Sequence, residues 1–297
     1  MKKIKKSLGT KFLEEFINLR ERNPIEFARK VTDWLKTNDI AFNVSELPDD
    51  SLIKNYFKAG RILKLQKNTK KTKQVIIGKG VVYDTGGYNI KTYMSNMHFN
   101  RNGALLAIAS HLDTGTDAAV FFVVNNIHDT APVDGDIILE PVTGKRVLIE
   151  NTDAEGRIGL AHLLADTGRD YDKAITIATL TGAAVGFTGE LTMALVHSNK
   201  LTDYPKLMNL AISGNEIWPA PGHKEYDDGV LTKIVGADVT NSSKYRYAGS
   251  STAFSFLKHF FTGHLIHVDM AAMDSDKDGN GHVWGIKEIT NLLRVLK

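Results

Sequence analysis

Residues 74–87 read QVIIGKGVVYDTGG, where an apolar β-branched run is followed directly by a glycine-rich segment with a lysine and an aspartate. Similar apolar runs of strand length recur at residues 118–124, 174–180 and 265–270. Helical patterns of apolar residues lie at residues 104–111, 160–166, 252–261 and 286–296. Continuous apolar strands that alternate with helices are typical of a sheet covered on both faces. The sequence therefore predicts an α/β fold with a largely parallel central sheet and helices on both faces.

The composition excludes several classes of protein. Of 297 residues, 42% are hydrophobic and 24% are charged, which is enough apolar surface to fold and argues against disorder. The net charge of +3 is too small and too evenly spread to predict nucleic acid as a partner. The lack of cysteine excludes disulfides, thiolate metal sites and thiol nucleophiles. No signal-peptide pattern and no apolar run of roughly 18 residues is found, which predicts a cytoplasmic protein without a membrane span.

The first 72 residues differ in pattern from residues 73–297. Helical patterns cover residues 11–22 and 48–57, and a short alternating run at 40–44 predicts a strand. Asn23 and Pro24 have the residue types of a helix N-cap and first helical position. The lysine-rich stretch 67–73 predicts a solvated turn. We therefore predict a helical lead-in, residues 1–72, to a larger domain, residues 73–297.

Two segments combine glycines with charged residues in a way that suggests chemistry. The first contains Asp84, and the second, residues 151–157, reads NTDAEGR and contains Asp153 and Glu155. Three carboxylates are hard oxygen donors suited to a divalent cation. Asp153 and Glu155 alternate, so an extended backbone points both the same way, and Gly86–Gly87 permits positive φ. An isolated Asp-x-Glu is more often a solvated turn, and that interpretation stays open on these residues alone.

The complete strings resemble the leucyl aminopeptidase family, the cytosol aminopeptidases with two metal ions. NTDAEGR at 151–157 matches the family signature, and Lys79, Asp84 and Lys91 match its first segment. Further matching strings lie at residues 135–136, 178–183, 248–256 and 267–271. The resemblance covers residues 73–297 and implies the family's catalytic-domain fold, with a mixed, largely parallel central sheet. It implies that residues 73–297 are a two-metal aminopeptidase catalytic domain.

The resemblance also implies a ligand set for two divalent metal ions per subunit, either zinc or manganese. Asp84 and Glu155 would bridge the two ions, Asp153 would complete one site, and Lys79 would ligate the other as a neutral amine. Such a metal pair lowers the pKa of a bridging water and supplies hydroxide near neutral pH. The implied reaction is hydrolysis of the N-terminal residue from peptides by this metal-bridged hydroxide.

The other implied residues act on the substrate. Lys91 would stabilise the oxyanion that develops on the scissile carbonyl. Arg157 would hold a bicarbonate that passes a proton to the leaving amine. The carbonyl of Leu180 and the N–H of Gly182 would align the substrate backbone, and Met97 would line the pocket for the first side chain.

The sequence departs from the family pattern at one metal-ligand position. Asn100 stands where the family has an aspartate ligand, and an amide brings a carbonyl oxygen without negative charge. Weaker occupancy of one metal site is the expected consequence. Arg101 replaces a small apolar neighbour and is expected to add positive charge nearby. His98 is a poor substitute ligand, because its spacing places it on a different face from Asn100.

The resemblance implies two further features. Family members usually carry a separate N-terminal α/β domain, and only about seventy residues precede the first motif here, so that domain is expected to be absent. The family assembles as a hexamer, which implies a homo-oligomer. The sequence thus favours a metal-dependent aminopeptidase acting on peptide substrates. A catalytically impaired relative with a binding or assembly role, marked by Asn100, is the alternative.

Overall fold

The computed structural model describes residues 6–66, 73–94 and 96–296. Its strands are β1 (Asn43–Glu46), β2 (Gly60–Leu65), β3 (Gln74–Gly78), β4 (Val81–Asp84), β5 (Asp117–Asn125), β6 (Ile137–Glu140), β7 (Lys145–Leu148), β8 (Lys173–Ala178), β9 (Ala194–Ser198), β10 (Ile217–Pro219), β11 (Val239–Thr240) and β12 (His264–Asp269). Its α-helices are α1 (Leu8–Phe16), α2 (Pro24–Thr37), α3 (Leu52–Tyr56), α4 (Asn102–Thr114), α5 (Gly156–Asp166), α6 (Gly182–Thr188), α7 (Tyr204–Ile212), α8 (Lys224–Asp228), α9 (Gly249–Leu257) and α10 (Ile286–Val295).

Within these ranges, nine strands form the central sheet, in the order β1-β2-β5-β3-β8-β12-β9-β10, with β4 also paired to β5. The pairs from β5 through β3 and β8 to β12 are all parallel. The pairs β1–β2, β2–β5 and β12–β9 are antiparallel. The prediction of a mixed, largely parallel sheet is confirmed. A small second sheet contains β11, β7 and β6.

Helices cover both faces of the central sheet, which explains why inner strands such as β3 and β5 are mostly apolar. Along β3, Ile76 packs into one hydrophobic cluster with residues of α1, α2, α4 and α10. Its neighbours Val75 and Ile77 pack into the other cluster, with residues of α3, α5 and α9. Successive strand residues point to opposite faces, so a strand buried on both sides needs apolar residues at every position.

The first 72 residues contribute to the sheet as well as to its helical cover. The N-cap prediction is confirmed, because the Asn23 side chain accepts hydrogen bonds from the backbone N–H groups of Ile25 and Glu26. In addition, β1 and β2 pair into the sheet, and β2 lies directly beside β5. The region predicted as a helical lead-in is therefore partly strand. Most of the predicted turn at 67–73 lies outside the described residues. Among those described, no helix is long and apolar enough to cross a bilayer.

Candidate metal centre

The two charged segments of the sequence meet at the carboxyl end of the parallel strands. Asp84 is the last residue of β4, and the 151–157 segment leads into α5. One oxygen from each of Asp84, Asp153 and Glu155 lies within 4.8 Å of the other two. Asp84 and Glu155 are buried, and Asp153 is partly buried. Three carboxylates are thus concentrated at a site that is largely shielded from water.

Lys79 lies in the two-residue segment between β3 and β4, and its side chain extends into this cluster. Its Nζ lies 2.9 Å from Glu155 Oε1 and donates a hydrogen bond of 2.9 Å to the carbonyl of Thr179. Gly156 makes room for the lysine, because a Cβ at residue 156 would lie 2.7 Å from both Cδ and Cε of Lys79. Residue 156, the first of α5, is therefore restricted to glycine, because the Lys79 side chain passes directly beside it.

Lys91 faces the same carboxylates from the loop after β4. Its Nζ lies 3.2 Å from Asp84 Oδ2 and forms an ion pair with Asp153. Burial opposes the charged form, but the carboxylates of Asp84, Glu155 and Asp153 outweigh it and raise the pKa of Lys91 above its ordinary value. Lys91 is therefore a fixed cation at this site.

The carboxylates themselves are electrostatically strained. Burial, reinforced by the charge of Asp84, raises the pKa of Glu155 to about 7. The same two causes, in the same order, raise the pKa of Asp153. Burying like charges together is unfavourable unless cations balance them. Three carboxylates and an amine form a donor set that fits divalent metal ions.

Hydrogen bonds join the two charged loops to each other. The N–H of Asn89 donates to Thr152 Oγ1 at 2.8 Å, and the N–H of Thr152 donates to Asn89 Oδ1 at 2.6 Å. The Thr152 hydroxyl also donates to the carbonyl of Gly86 at 2.7 Å. The predicted positive φ is confirmed, with 87° at Gly86 and 60° at Gly87. The loop can turn back towards Thr152 because these glycines have no Cβ.

The prediction that an extended backbone aligns Asp153 and Glu155 is wrong. Asp153 lies in a turn, and Glu155 has helical angles, φ −71° and ψ −36°, as the residue before α5. The two carboxylates converge because the chain turns into a helix between them. The Asp-x-Glu spacing correctly indicates that the two carboxylates lie together, but it does not indicate the backbone conformation that brings them together.

Two buried residues of the site were missed by the sequence analysis. The Nδ2 of Asn125 donates to Asp84 Oδ1 at 2.8 Å and to the carbonyl of Thr152 at 3.1 Å. The Tyr56 hydroxyl donates to the same carbonyl at 2.9 Å. Asn125 ends the apolar run predicted as a strand, so its position at a strand end was an available signal. Tyr56 is distant in sequence and carried no such signal.

Asn100 lies against the cluster, in a 3₁₀ helix that spans Met97–Arg101. Its Nδ2 donates to Asp84 Oδ2 at 2.9 Å, and its Oδ1 accepts a hydrogen bond from the Thr179 hydroxyl at 3.3 Å. The side chain thus contacts a candidate metal ligand directly. It presents a neutral amide where an aspartate would present a charge.

Arg101 does not direct its charge at the carboxylate cluster, contrary to the expectation from its position. It is fully buried, and its Nη2 donates to the carbonyls of Phe16 and Leu19 at the end of α1. Its guanidinium lies over the ring of Phe27, 4.5 Å from the centroid. Burial lowers the pKa of Arg101 to about 9. The residue therefore fastens the N-terminal helices to the segment that carries Asn100.

His98 is absent from the group of candidate metal ligands found among the described residues. Its ring packs on Phe99, with 3.9 Å between the ring centroids. Burial and the neighbouring charge of Arg101 lower the pKa of His98 to about 4. It packs as a neutral ring in the protein interior.

The residues implied to act on substrate lie on three segments: the first turn of α5, the chain from β8 into α6, and the 3₁₀ helix that carries Asn100. Arg157 lies in the first turn of α5, is buried, and has no hydrogen-bond partner for its Nε among the described residues. Burial lowers its pKa to about 10. Leu180 donates its N–H to Asp269 Oδ1 at 3.1 Å. Gly182 begins α6 beside open space, since a Cβ there would meet no atom within 4 Å. Met97 begins the 3₁₀ helix that carries Asn100.

A buried cluster of three carboxylates and an amine thus lies at the carboxyl edge of an α/β sheet, and this fold and site are those of a class of proteins suited to bind divalent metal ions. The chain belongs to the cytosol aminopeptidase family, whose catalytic-domain model matches residues 58–290. It is 39% identical over 225 residues to a probable cytosol aminopeptidase of Clostridium tetani, covering 71% of this chain and 46% of that protein. It is 34% identical over 238 residues to leucine aminopeptidase 2, chloroplastic, of Arabidopsis thaliana, covering 73% and 38%.

Solved structures agree with this assignment. A leucyl aminopeptidase from Trypanosoma brucei in complex with bestatin is 27% identical, with a TM-score of 0.81. The match covers 96% of this chain and 61% of that chain. The bottromycin maturation enzyme BotP in complex with Mn has the same fold, with a TM-score of 0.85 at 21% identity over 97% of this chain and 70% of that one. The chain spans about half the length of the first curated relatives that it matches.

Proposed function

We propose that this chain is a metal-dependent aminopeptidase that hydrolyses the N-terminal residue from peptides. The observation that carries the proposal is the convergence of Asp84, Asp153 and Glu155 to within 4.8 Å, with Lys79 2.9 Å from Glu155. Membership of the cytosol aminopeptidase family supports the reaction type.

Asp84, Glu155, Asp153 and Lys79 would hold two divalent cations, zinc or manganese, with Asn100 as a weaker oxygen donor. When bound, such ions acidify water and provide a nucleophile near neutral pH. To act as a ligand, Lys79 would have to be a neutral amine and exchange its present contacts with Glu155 and the Thr179 carbonyl for a cation. Glu155 is itself a candidate ligand and must stay ionised, so the proton that the amine gives up has to leave the ligand set altogether.

Lys91 and Arg157 are the two cations suited to act on the reacting peptide. Lys91 lies directly beside the cluster, so its ammonium would stabilise negative charge that develops on the scissile carbonyl oxygen. Arg157 is buried with an unpartnered Nε, which suits it to hold a small oxyanion such as bicarbonate. An oxyanion held there would carry the proton to the leaving amine.

The substrate backbone would be aligned by the end of β8 and the start of α6. The carbonyl of Leu180 and the N–H of Gly182 are separated by one residue, so together they offer an acceptor and a donor to an extended peptide. Met97 would line the pocket for the first side chain. The open space beside Gly182 leaves room for a peptide backbone at that N–H.

One observation favours the alternative of a catalytically impaired relative. The amide of Asn100 donates a hydrogen bond to Asp84 Oδ2, which is the atom that also faces Lys91. An amide in this orientation adds no charge to balance a cation. A chain with weakened metal occupancy would keep the fold and could serve in binding or assembly.

The test is release of leucine from a chromogenic leucine amide with added manganese, zinc or cobalt, and with chelator as a control. We expect turnover that depends on the metal and is lost in Glu155→Gln. The matched control is Glu140→Gln, which alters another buried carboxylate. Glu140 lies in β6 of the small sheet and is hydrogen-bonded to His162 of α5. A folded protein without turnover under any of these ions would eliminate the aminopeptidase and leave the impaired relative.

The remaining proposals concern the context of the site. We propose a hexamer and a cytoplasmic location, on the strength of family membership and the names of the relatives. We also propose residues 73–297 as the catalytic domain, with residues 1–72 as the segment that braces it. Size measurement in solution tests the assembly.

A further inference from the structure

The backbone carbonyl of Thr152 is held by two side chains from different parts of the chain. The Tyr56 hydroxyl donates to it from the end of α3 at 2.9 Å. The Asn125 Nδ2 donates to it from the end of β5 at 3.1 Å. Tyr56 and Asn125 are both buried, at 2% and 4% exposure. We call these two donors and the Thr152 carbonyl the Thr152 clasp.

The clasp lies between the two charged loops. Thr152 immediately precedes Asp153, so the direction of its carbonyl fixes the peptide plane from which the Asp153 side chain departs. The same Asn125 Nδ2 lies 2.8 Å from Asp84 Oδ1. On its other side, Thr152 is bonded to Asn89 and Gly86 in the loop that carries Asp84 and Lys91. A change in the clasp is therefore expected to shift Asp153 relative to Asp84.

We propose that Tyr56 is a positioning residue for the metal centre, acting through the Thr152 carbonyl. This inference rests on the proposed function, because it concerns the same carboxylates. Residues that orient metal ligands without touching the metal commonly affect metal affinity strongly, since a preformed ligand set loses less freedom on binding. Through Tyr56, the N-terminal segment helps to position the metal centre, in addition to supplying strands to the sheet.

The packing role of Tyr56 can be separated from its hydroxyl. The ring packs in the hydrophobic core and lies 4.8 Å from the ring of Phe57. Tyr56→Phe keeps this ring and removes only the hydrogen bond. The Thr152 carbonyl keeps its bond from Asn125, so the variant leaves no buried acceptor unpaired.

The experiment compares Tyr56→Phe with Tyr204→Phe. The Tyr204 hydroxyl also donates to a backbone carbonyl, that of Ala220 at 3.0 Å, outside the carboxylate cluster. Manganese affinity is measured by calorimetry, alongside the thermal midpoint of the metal-free protein. We expect Tyr56→Phe to weaken manganese binding about tenfold, while Tyr204→Phe leaves it unchanged. Equal affinities in wild type and Tyr56→Phe would overturn the inference.

A second measurement uses the wild type alone and does not depend on the stability of a variant. Hydrogen exchange is followed with and without manganese. We expect bound metal to slow exchange in residues 151–157 and in α3 together; protection confined to residues 151–157 would contradict coupling through Tyr56. Metal binding with the expected variant effect but no peptide hydrolysis would refute the proposed function and support the clasp. Peptide hydrolysis by the wild type together with unchanged metal affinity in Tyr56→Phe would support the proposed function and refute the role of the clasp.

Discussion

The side-chain amide of Asn100 lies 2.9 Å from Asp84 Oδ2 and donates a hydrogen bond to it. The N–H side of the amide therefore faces the carboxylate of a candidate metal ligand. Binding a cation requires that this hydrogen bond be broken or that the amide turn over, since the N–H side of the amide cannot ligate a metal. We therefore expect Asn100 to weaken metal binding in two ways, because it lacks charge and because its N–H donates to Asp84 Oδ2.

Asn100→Asp is expected to strengthen metal binding, because a carboxylate adds a charged ligand beside Asp84. The gain should be about tenfold or more, and the metal-free protein should lose stability because another negative charge joins the cluster. Calorimetry gives affinity and stoichiometry. Asn102→Asp, which adds the same charge two residues away at the start of α4, is the control. Unchanged affinity and stoichiometry in Asn100→Asp would contradict this account of the position.

Lys91→Ala is expected to lower turnover of the leucine amide by about 10²- to 10³-fold, the usual scale for losing an oxyanion-stabilising group. Bound metal should remain, because the lysine competes with cations for Asp84 and Asp153 in the metal-free protein. Turnover is measured together with metal content. Lys64→Ala is the control, since it removes a partly exposed ion pair with Asp166. Loss of metal from Lys91→Ala would make the residue structural.

Arg101→Ala is expected to lower the free energy of unfolding by about 3 kcal/mol, because it removes the donor to the end of α1 and leaves a cavity against Phe27. Arg101→Met keeps most of the volume and should lose less. Urea unfolding measures both, and manganese affinity should be unchanged in both. A variant with altered metal affinity and unchanged stability would show that the arginine charge acts on the metal centre after all.

Gly156→Ala is expected to reduce bound metal, because the added methyl group would lie 2.7 Å from Lys79 Cδ and Cε and 2.9 Å from Leu180 Cδ1. The buried lysine has little room to move, so its amine is displaced from Glu155. Elemental analysis after dialysis counts the ions per chain. Gly186→Ala in α6 is the matched control, because a Cβ there meets no atom within 4 Å. Equal metal content in the two variants would show that Lys79 is not a ligand.

The fold could be predicted from the sequence where burial leaves few choices. The run Val75–Ile77 is apolar at every position, and the structure places its alternate residues in the two hydrophobic clusters. The small sheet is harder to predict, because in β6 the exposed residues Ile137 and Leu139 alternate with the buried residues Ile138 and Glu140. Its apolar residues on the exposed face obscure the alternation that marks a half-buried strand.

The sequence predicts which residues of the candidate site can bind a metal ion, because that ability follows from the residue type. Carboxylates in loops after strands pointed to Asp84, Asp153 and Glu155. The direction of a long side chain was not predictable, which is why Arg101 was placed near the cluster when its guanidinium contacts Phe16 and Phe27. Tyr56 and Thr152 are 96 residues apart, and only the folded chain brings them together.

The position of β5 between β2 and β3 has a consequence for synthesis of the protein. As the chain leaves the ribosome, β2 emerges well before its inner neighbour, Asp117–Asn125, has been made. Until then β2 has an unpaired edge, a surface prone to join strands of other nascent chains. Truncated products that end before residue 117 are therefore expected to aggregate, and chaperone capture during translation should matter most over that interval.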